Sequence, residues 1–177
     1  IKSTNYLVDI SMREMIRLND LSNETIHLIA IDNQLGIYIG KLDAKNQIGL
    51  RSRVGKRMPL YCTGGGKVLL AYQTPQWIEE YLANTERTCF TENTIVSEEA
   101  LKEELATIRA QGYALDLREH NPDIICVAAP VFNQENRIVC SIGISAPDYG
   151  FSVEKAVSLA PEIMKSAAMI SKRLAAI

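Results

Sequence analysis

Ile125-Cys126-Val127-Ala128-Ala129-Pro130-Val131-Phe132-Asn133-Gln134-Glu135-Asn136-Arg137-Ile138-Val139-Cys140-Ser141-Ile142-Gly143-Ile144-Ser145 is the stretch that decides the fold. Two apolar runs, Ile125 to Phe132 and Arg137 to Ser145, flank a polar turn of Asn133-Gln134-Glu135-Asn136. A turn this short joins antiparallel neighbours, because a parallel pair needs a long crossover. Upstream, Tyr113 to Arg118 reads as another strand. Near the start, Thr25 to Ile31 and Ile37 to Leu42 read as a hairpin around Asp32-Asn33. Leu50 to Val54 reads as a third strand of that group, with Gly55-Lys56-Arg57 as a turn.

Helical patterns fill the remainder. Ser3 to Leu21 places Leu7, Ile10, Leu18 and Leu21 on one side, widened by Val8, Met12 and Met15. So broad a stripe predicts a partner contact as well as a core contact. Val68 to Tyr72 reads as a short helix. Thr74-Pro75 starts another, with Thr as N-cap and Pro in the first turn. Ser97 caps a third, which carries Glu98 and Glu99 in its first turn and ends at Gly112. After Ser152, Val153, Val157, Ala160, Met164, Ala167 and Leu174 recur at three- and four-residue steps. The order is helix, strands, helices, strands, helix. This predicts an α+β domain with a mainly antiparallel sheet, not a doubly wound parallel one.

With 177 residues, 47% apolar and 23% charged, the chain has the composition of one globular domain. The net charge of −2 argues against a grip on nucleic acid phosphates by this chain itself. No apolar run approaches 18 residues, so no membrane span is expected. Cys62, Cys89, Cys126 and Cys140 form no C-x-x-C pair, which fits free thiols in a reducing, cytoplasmic setting. The chain begins at Ile1 rather than Met, and its first segment is already helical. We therefore expect a piece of a longer protein.

Thr63-Gly64-Gly65-Gly66-Lys67 is the first candidate site. Bare backbone N–H groups before a helix can hold a carboxylate or phosphate. The spacing fits neither a P-loop nor a dinucleotide fingerprint, since Val68 follows Lys67 and Leu69 stands where a third glycine belongs. A merely tight turn is the plainer reading. The second candidate is a set of polar residues in apolar strands. Ala114 and Asp116 share one face; so do Ser141, Gly143 and Ser145; Cys126 lies between the two strands in sequence. Convergence of these faces would make a small polar pocket. Taken singly, Asp116 could sit at an exposed edge, Cys126 in a core, and Ser145 at a strand end. A Cys126–His120 nucleophile pair lacks any local signature, and metal binding by Asp116, His120 and Cys126 lacks ligand spacing. Arg51, Arg53, Lys56 and Arg57 could steer an anion toward the glycines, or form a solvated hairpin face.

Several stretches carry a resemblance. They are Val54-Gly55-Lys56-Arg57-Met58-Pro59-Leu60-Tyr61, Thr63 to Ala71, Thr91-Glu92-Asn93-Thr94-Ile95, Ile108 to Asp116, Cys126 to Phe132 and Ser141 to Pro147. In order and spacing the chain resembles the effector-binding domain of the IclR family of bacterial transcription regulators. Among its members, those governing sugar-acid and keto-sugar catabolism are the most similar. The resemblance implies a GAF-like fold, a six-stranded antiparallel sheet flanked by helices, filling residues 1–177 with 1–22 as a linking helix. It implies a winged helix-turn-helix domain upstream of Ile1 that carries all DNA contact, and a homodimer or homotetramer. It implies no enzyme activity, no cofactor, no metal and no membrane partner.

The resemblance also implies an effector pocket for a small organic acid. Backbone amides of Gly64 and Gly65 would hold it, with Asp116, Cys126 and Ser145 as polar contacts. Leu50 and Met58 would be apolar walls, with Ile124 near the same wall. Gly143 replaces a serine of the family pattern, which predicts a roomier pocket. Cys62 stands where many members carry a small non-thiol residue. Two other classes remain open at this point: a small cysteine- or metal-dependent enzyme, and a pure oligomerisation module.

Overall fold

The computed structural model describes residues 2–45 and 49–177. Helix α1 (Lys2–Ser22) leads into strands β1 (Thr25–Asp32) and β2 (Leu35–Leu42), then a two-residue strand β3 (Arg57–Met58). Three helices follow: α2 (Gly64–Ala71), α3 (Pro75–Asn84) and α4 (Glu98–Gln111). Strands β4 (Ala114–Leu117), β5 (Ile124–Phe132) and β6 (Ile138–Pro147) then precede the long α5 (Val153–Ala175). The six strands form one sheet in the order β3-β2-β1-β6-β5-β4, and its neighbours pair antiparallel. The expected α+β architecture is therefore observed.

The sheet divides the apolar residues by alternation. On one face, Ile26 and Leu28 of β1, Ile125 and Val127 of β5, and Ile142 and Ile144 of β6 meet α1 and α5. Met15 and Leu18 of α1 are fully buried there, each worth roughly 1.5–3 kcal/mol of apolar burial. Tyr6, Ile16 and Leu21 of the same helix stay exposed. On the other face, Ile29, Ala114 and Ala128 meet α2, α3 and α4. Helix ends follow their caps. Thr74, Ser97 and Ser152 accept from backbone N–H groups, and Gly112 closes α4 at φ +86°.

Two expectations need correction. Leu50 to Val54 is not a strand; the third strand is Arg57–Met58. Side-chain contacts replace ladder bonds in this segment, since Lys41 Nζ binds the carbonyls of Leu50 at 2.7 Å and Ser52 at 2.6 Å. The glycine run does not precede its helix either, for Gly64, Gly65 and Gly66 form the first turn of α2. Close packing requires them. A Cβ on Gly65 would lie 2.6 Å from Ile29 Cδ1 and 2.7 Å from Ser141 Oγ. Only a bare backbone lets α2 lie this close to the sheet.

Candidate ligand-binding site

The α2 face of the sheet is not fully covered. Beyond the start of α2 lies a cavity of about 380 Å³. Gly64, Gly65, Asp116, Cys126, Ser145, Leu50, Met58 and Ile124 all line it. The polar floor follows from register. Asp116 of β4 stands opposite Cys126 of β5, and Cys126 opposite Ser145 of β6. Side-chain alternation then aims all three to one face.

The helix start opens onto this floor. Thr63 is the N-cap of α2 but makes no capping hydrogen bond, because its hydroxyl donates to the Pro59 carbonyl at 2.7 Å. Among the described residues no side-chain cap satisfies the start of α2. Such a terminus carries a partial positive charge and favours an anion. Lys67 does not itself line the cavity. It is fully buried behind the helix, with Nζ 2.9 Å from Glu119 Oε2, 2.7 Å from the Leu115 carbonyl and 3.4 Å from Glu104 Oε2.

Asp116 is almost fully buried, and its Oδ1 accepts the Glu119 N–H at 2.8 Å. Burial first, and the Glu119 charge second, push its carboxyl up to about 7, against the pull of that N–H and of Lys67. The Thr91-to-Thr94 turn fixes this corner. Thr91 Oγ1 donates to the Arg118 carbonyl, Asn93 Nδ2 to that of Leu117, and Thr94 Oγ1 to that of Glu119. Thus the Thr91-to-Thr94 stretch braces the segment that carries Asp116.

His27, Tyr38 and Ser52 are among the residues of the cavity wall that sequence reasoning had not assigned to it. His27 projects from β1, with Nδ1 3.1 Å from Ser145 Oγ and Nε2 2.6 Å from Ser52 Oγ. Burial, then the Lys41 charge, lowers its imidazole to about 3, so it is neutral. Tyr38 of β2 packs its ring 4.6 Å from that of His27. Ser52 holds the rim. The signal for His27 was its inward register on Thr25–Asp32, where it alternates with Ile26 and Leu28; only the β1–β6 pairing shows which pocket it meets.

The Cys126–His120 pair does not form. Ser145 Oγ lies 3.0 Å from Cys126 Sγ, and His120 packs edge-on against Phe90. Burial, then the Asp116 charge, raises the Cys126 thiol well above its ordinary value, so a thiolate nucleophile is disfavoured. No cluster of three or more His, Cys, Asp or Glu suited to a metal occurs among the described residues. Of the basic cluster, Arg51, Lys56 and Arg57 border the cavity, and Arg57 is paired with Asp32 at 2.6 Å. Gly143 lies on the wall, but the sheet is drawn tight around it. A Cβ there would sit 2.7 Å from the Val127 carbonyl oxygen and 2.9 Å from Ala128 Cβ. The missing side chain therefore serves close strand packing rather than space alone.

An antiparallel α+β sheet with a polar-floored cavity beneath an uncapped helix start gives the chain the architecture of the C-terminal domains of bacterial transcriptional regulators. The chain belongs to the bacterial transcriptional regulators of the IclR type, whose C-terminal family pattern matches residues 3–172. It is 38% identical to the HTH-type transcriptional regulator KdgR of Escherichia coli over 94% of this chain and 62% of that protein. The crystal structure of the C-terminal domain of E. coli KdgR covers 96% of this chain and 98% of that one, at 34% identity and TM-score 0.85. The Thermotoga maritima IclR structure covers 96% of this chain and 68% of that one, at 34% identity and TM-score 0.91. The chain thus spans about three fifths of the length of E. coli KdgR. E. coli KdgR and the further relatives XynR of E. coli and AllR of Salmonella paratyphi A are named as HTH-type transcriptional regulators or repressors.

Proposed function

We propose that this chain is the effector-sensing part of a repressor and that its cavity takes a small organic acid. The observation that carries the reading is the uncapped start of α2, which opens onto the Asp116–Cys126–Ser145 floor. The ligand carboxylate sits on the N–H groups of Gly64 and Gly65. Ser145 and the Cys126 thiol bond the same end, while Asp116 accepts a ligand hydroxyl. Leu50, Met58 and Ile124 form the apolar wall. Enclosure makes each contact selective, because an unpaired buried polar group costs ~1–3 kcal/mol. A sugar acid satisfies Asp116 where a bare keto acid does not.

In the full-length protein a winged helix-turn-helix domain precedes residues 1–22 and makes the DNA contacts, in keeping with the HTH-type names of its relatives. Residues 1–177 then act as the sensing domain of a cytoplasmic homodimer or homotetramer. The exposed Tyr6, Ile16 and Leu21 of α1 support a contact between copies. Among the described residues no helix is long and apolar enough to cross a membrane. The ligand acts by binding one arrangement of the DNA-binding heads better than the other, since only that difference shifts the equilibrium. The regulated genes would serve carbohydrate-acid breakdown.

Thermal-shift and calorimetric titration with D-gluconate, D-glucuronate, 2-keto-D-gluconate and pyruvate test this. A bound acid at 100 times its Kd stabilises the chain by ~2.7 kcal/mol. Sugar acids should bind the native chain and lose at least tenfold in affinity with Asp116→Ala. Equal affinity for both proteins removes the role given to Asp116. No stabilisation by any acid favours a pure oligomerisation module.

A further inference from the structure

The start of α2 and the Asp116 carboxyl border the same small space. A Cβ on Gly64 would lie 3.7 Å from Asp116 Cβ and 3.2 Å from Cys126 Cβ. A ligand carboxylate on the Gly64 and Gly65 amides is therefore set against a second carboxyl that is already out of water. Two such groups in one buried site do not both stay ionised; one takes up a proton. Resting on the acid-sensing reading above, we propose that the domain binds its acid together with one proton, held by Asp116, and that His27 relays this change to Ser52 at the rim.

The relay is a row of polar side chains across four strands. Asp116 stands opposite Cys126 in the β4–β5 ladder, and Ser145 Oγ lies 3.0 Å from Cys126 Sγ. His27 Nδ1 lies 3.1 Å from Ser145 Oγ, and Nε2 2.6 Å from Ser52 Oγ. An ionised Asp116 can only accept. The protons then all run toward it: Cys126 donates to Asp116, Ser145 to Cys126, His27 Nδ1–H to Ser145, and Ser52 to His27 Nε2. A protonated Asp116 donates to Cys126, and every link reverses. Neutral His27 then carries its proton on Nε2 and donates to Ser52. The heavy atoms stay in place while the tautomer changes. Asp116 Oδ1 still accepts the Glu119 N–H and can accept a ligand hydroxyl on its second lone pair.

The groups around Asp116 leave room for this proton. Glu119 faces it from its own segment, with Oε1 buried and lacking a hydrogen-bond partner. Lys67 of α2 is the cation facing it, and that ammonium is already shared by Glu119, the Leu115 carbonyl and Glu104 of α4. Cys126 of β5, Cys62 ahead of α2 and Tyr38 of β2 face it with their ionisation raised by burial. Lys41 of β2 lies beyond His27 and is bound to the Leu50 and Ser52 carbonyls.

Calorimetry of the 177-residue chain with D-gluconate and D-glucuronate, in HEPES and Tris buffers of different protonation heat, tests the proposal. Between about pH 7.5 and 8.5 the native chain should take up close to one proton per bound acid. Its affinity should fall ~tenfold per pH unit toward the upper end. Asp116→Asn should bind without proton uptake and with pH-independent affinity. The imidazole 15N signals of His27 in the native chain should change from the Nδ1–H to the Nε2–H pattern on saturation at about pH 8. Binding without proton uptake, or uptake retained in Asp116→Asn, overturns the proton site. An unchanged His27 tautomer overturns the relay, and needs no variant that must fold. Absence of binding by either acid is a different result: it overturns the acid-sensing reading beneath the proposal.

Discussion

Lys67 Nζ lies 2.9 Å from Glu119 Oε2, with their side chains 0% and 5% exposed. This buried pair fastens the glycine-led helix to the segment that carries Asp116. The lysine that follows the glycines is a structural strut behind the helix. Lys67→Met should destabilise the chain by about 3–5 kcal/mol near pH 7, because Glu119 is left buried without its cation. The deficit should narrow at a lower pH, where Glu119, its ionisation already opposed by burial, takes a proton more readily. Urea midpoints at the two pH values measure both effects. A loss under 1 kcal/mol at neutral pH contradicts the strut.

Gly64 and Gly66 of α2 should respond differently to alanine. At Gly66 a Cβ would fall 2.2 Å from Thr63 Oγ1 and 2.7 Å from the Leu60 backbone, so Gly66→Ala should cost about 1–3 kcal/mol or more. At Gly64 the nearest atom is Cys126 Cβ at 3.2 Å. Gly64→Ala should change stability by under ~1 kcal/mol, the order of the helix-propensity difference. It should still weaken acid binding at least tenfold by filling the seat beside the amides. Melting curves and titrations of the two variants separate fold from binding.

Asp116 titrates up to about 7 when folded, against an ordinary 3.8. The folded chain holds this proton more tightly than the unfolded one. Its contribution is therefore complete below about pH 4 and is lost as pH rises through about 7. Asp116→Asn keeps a neutral group there at every pH. It should be more stable than the native chain by about 1–3 kcal/mol at pH 8, with the difference vanishing near pH 4. Equal stability at pH 8 contradicts the buried charge.

His27 has the opposite slope. Its imidazole is lowered from 6.5 to about 3 in the folded chain, so between these values only the unfolded chain takes the proton. Its contribution is complete above about pH 6.5 and is lost as pH falls, by up to ~1.4 kcal/mol per unit. Between about pH 4 and 6.5 the Asp116 and His27 slopes oppose each other. Asp116→Asn should expose a stability that rises with pH there, and His27→Gln one that falls. Denaturation at three pH values in that window decides the signs.

Much of this architecture was legible because alternation and short turns carry it. Asn133 to Asn136 made β5 and β6 an antiparallel pair, and Thr74, Ser97 and Gly112 marked helix ends through local chemistry. Leu50 to Val54 misled because it alternates like a strand, yet its carbonyls are taken by Lys41, a contact between distant residues. Asp116, Cys126 and Ser145 were legible as polar breaks in apolar strands, although their convergence depends on sheet order. His27 could not be placed, since a lone inward histidine on β1 meets Ser145 only once β6 is known to lie beside it. The reach of Lys67 under α2 to Glu119 likewise has no local signature.

The central claim is that a carboxylate rests on the first amides of α2. Backbone amide spectra of the 15N-labelled chain, recorded during titration with D-gluconate and D-glucuronate, test it most directly. The account predicts that the largest saturable shifts are those of Gly64 and Gly65, moving in the direction of a stronger hydrogen bond, with Ser145 and Asp116 next. Saturable shifts that leave both glycines unmoved and gather elsewhere, such as the groove between Pro75 and Arg109, would contradict it.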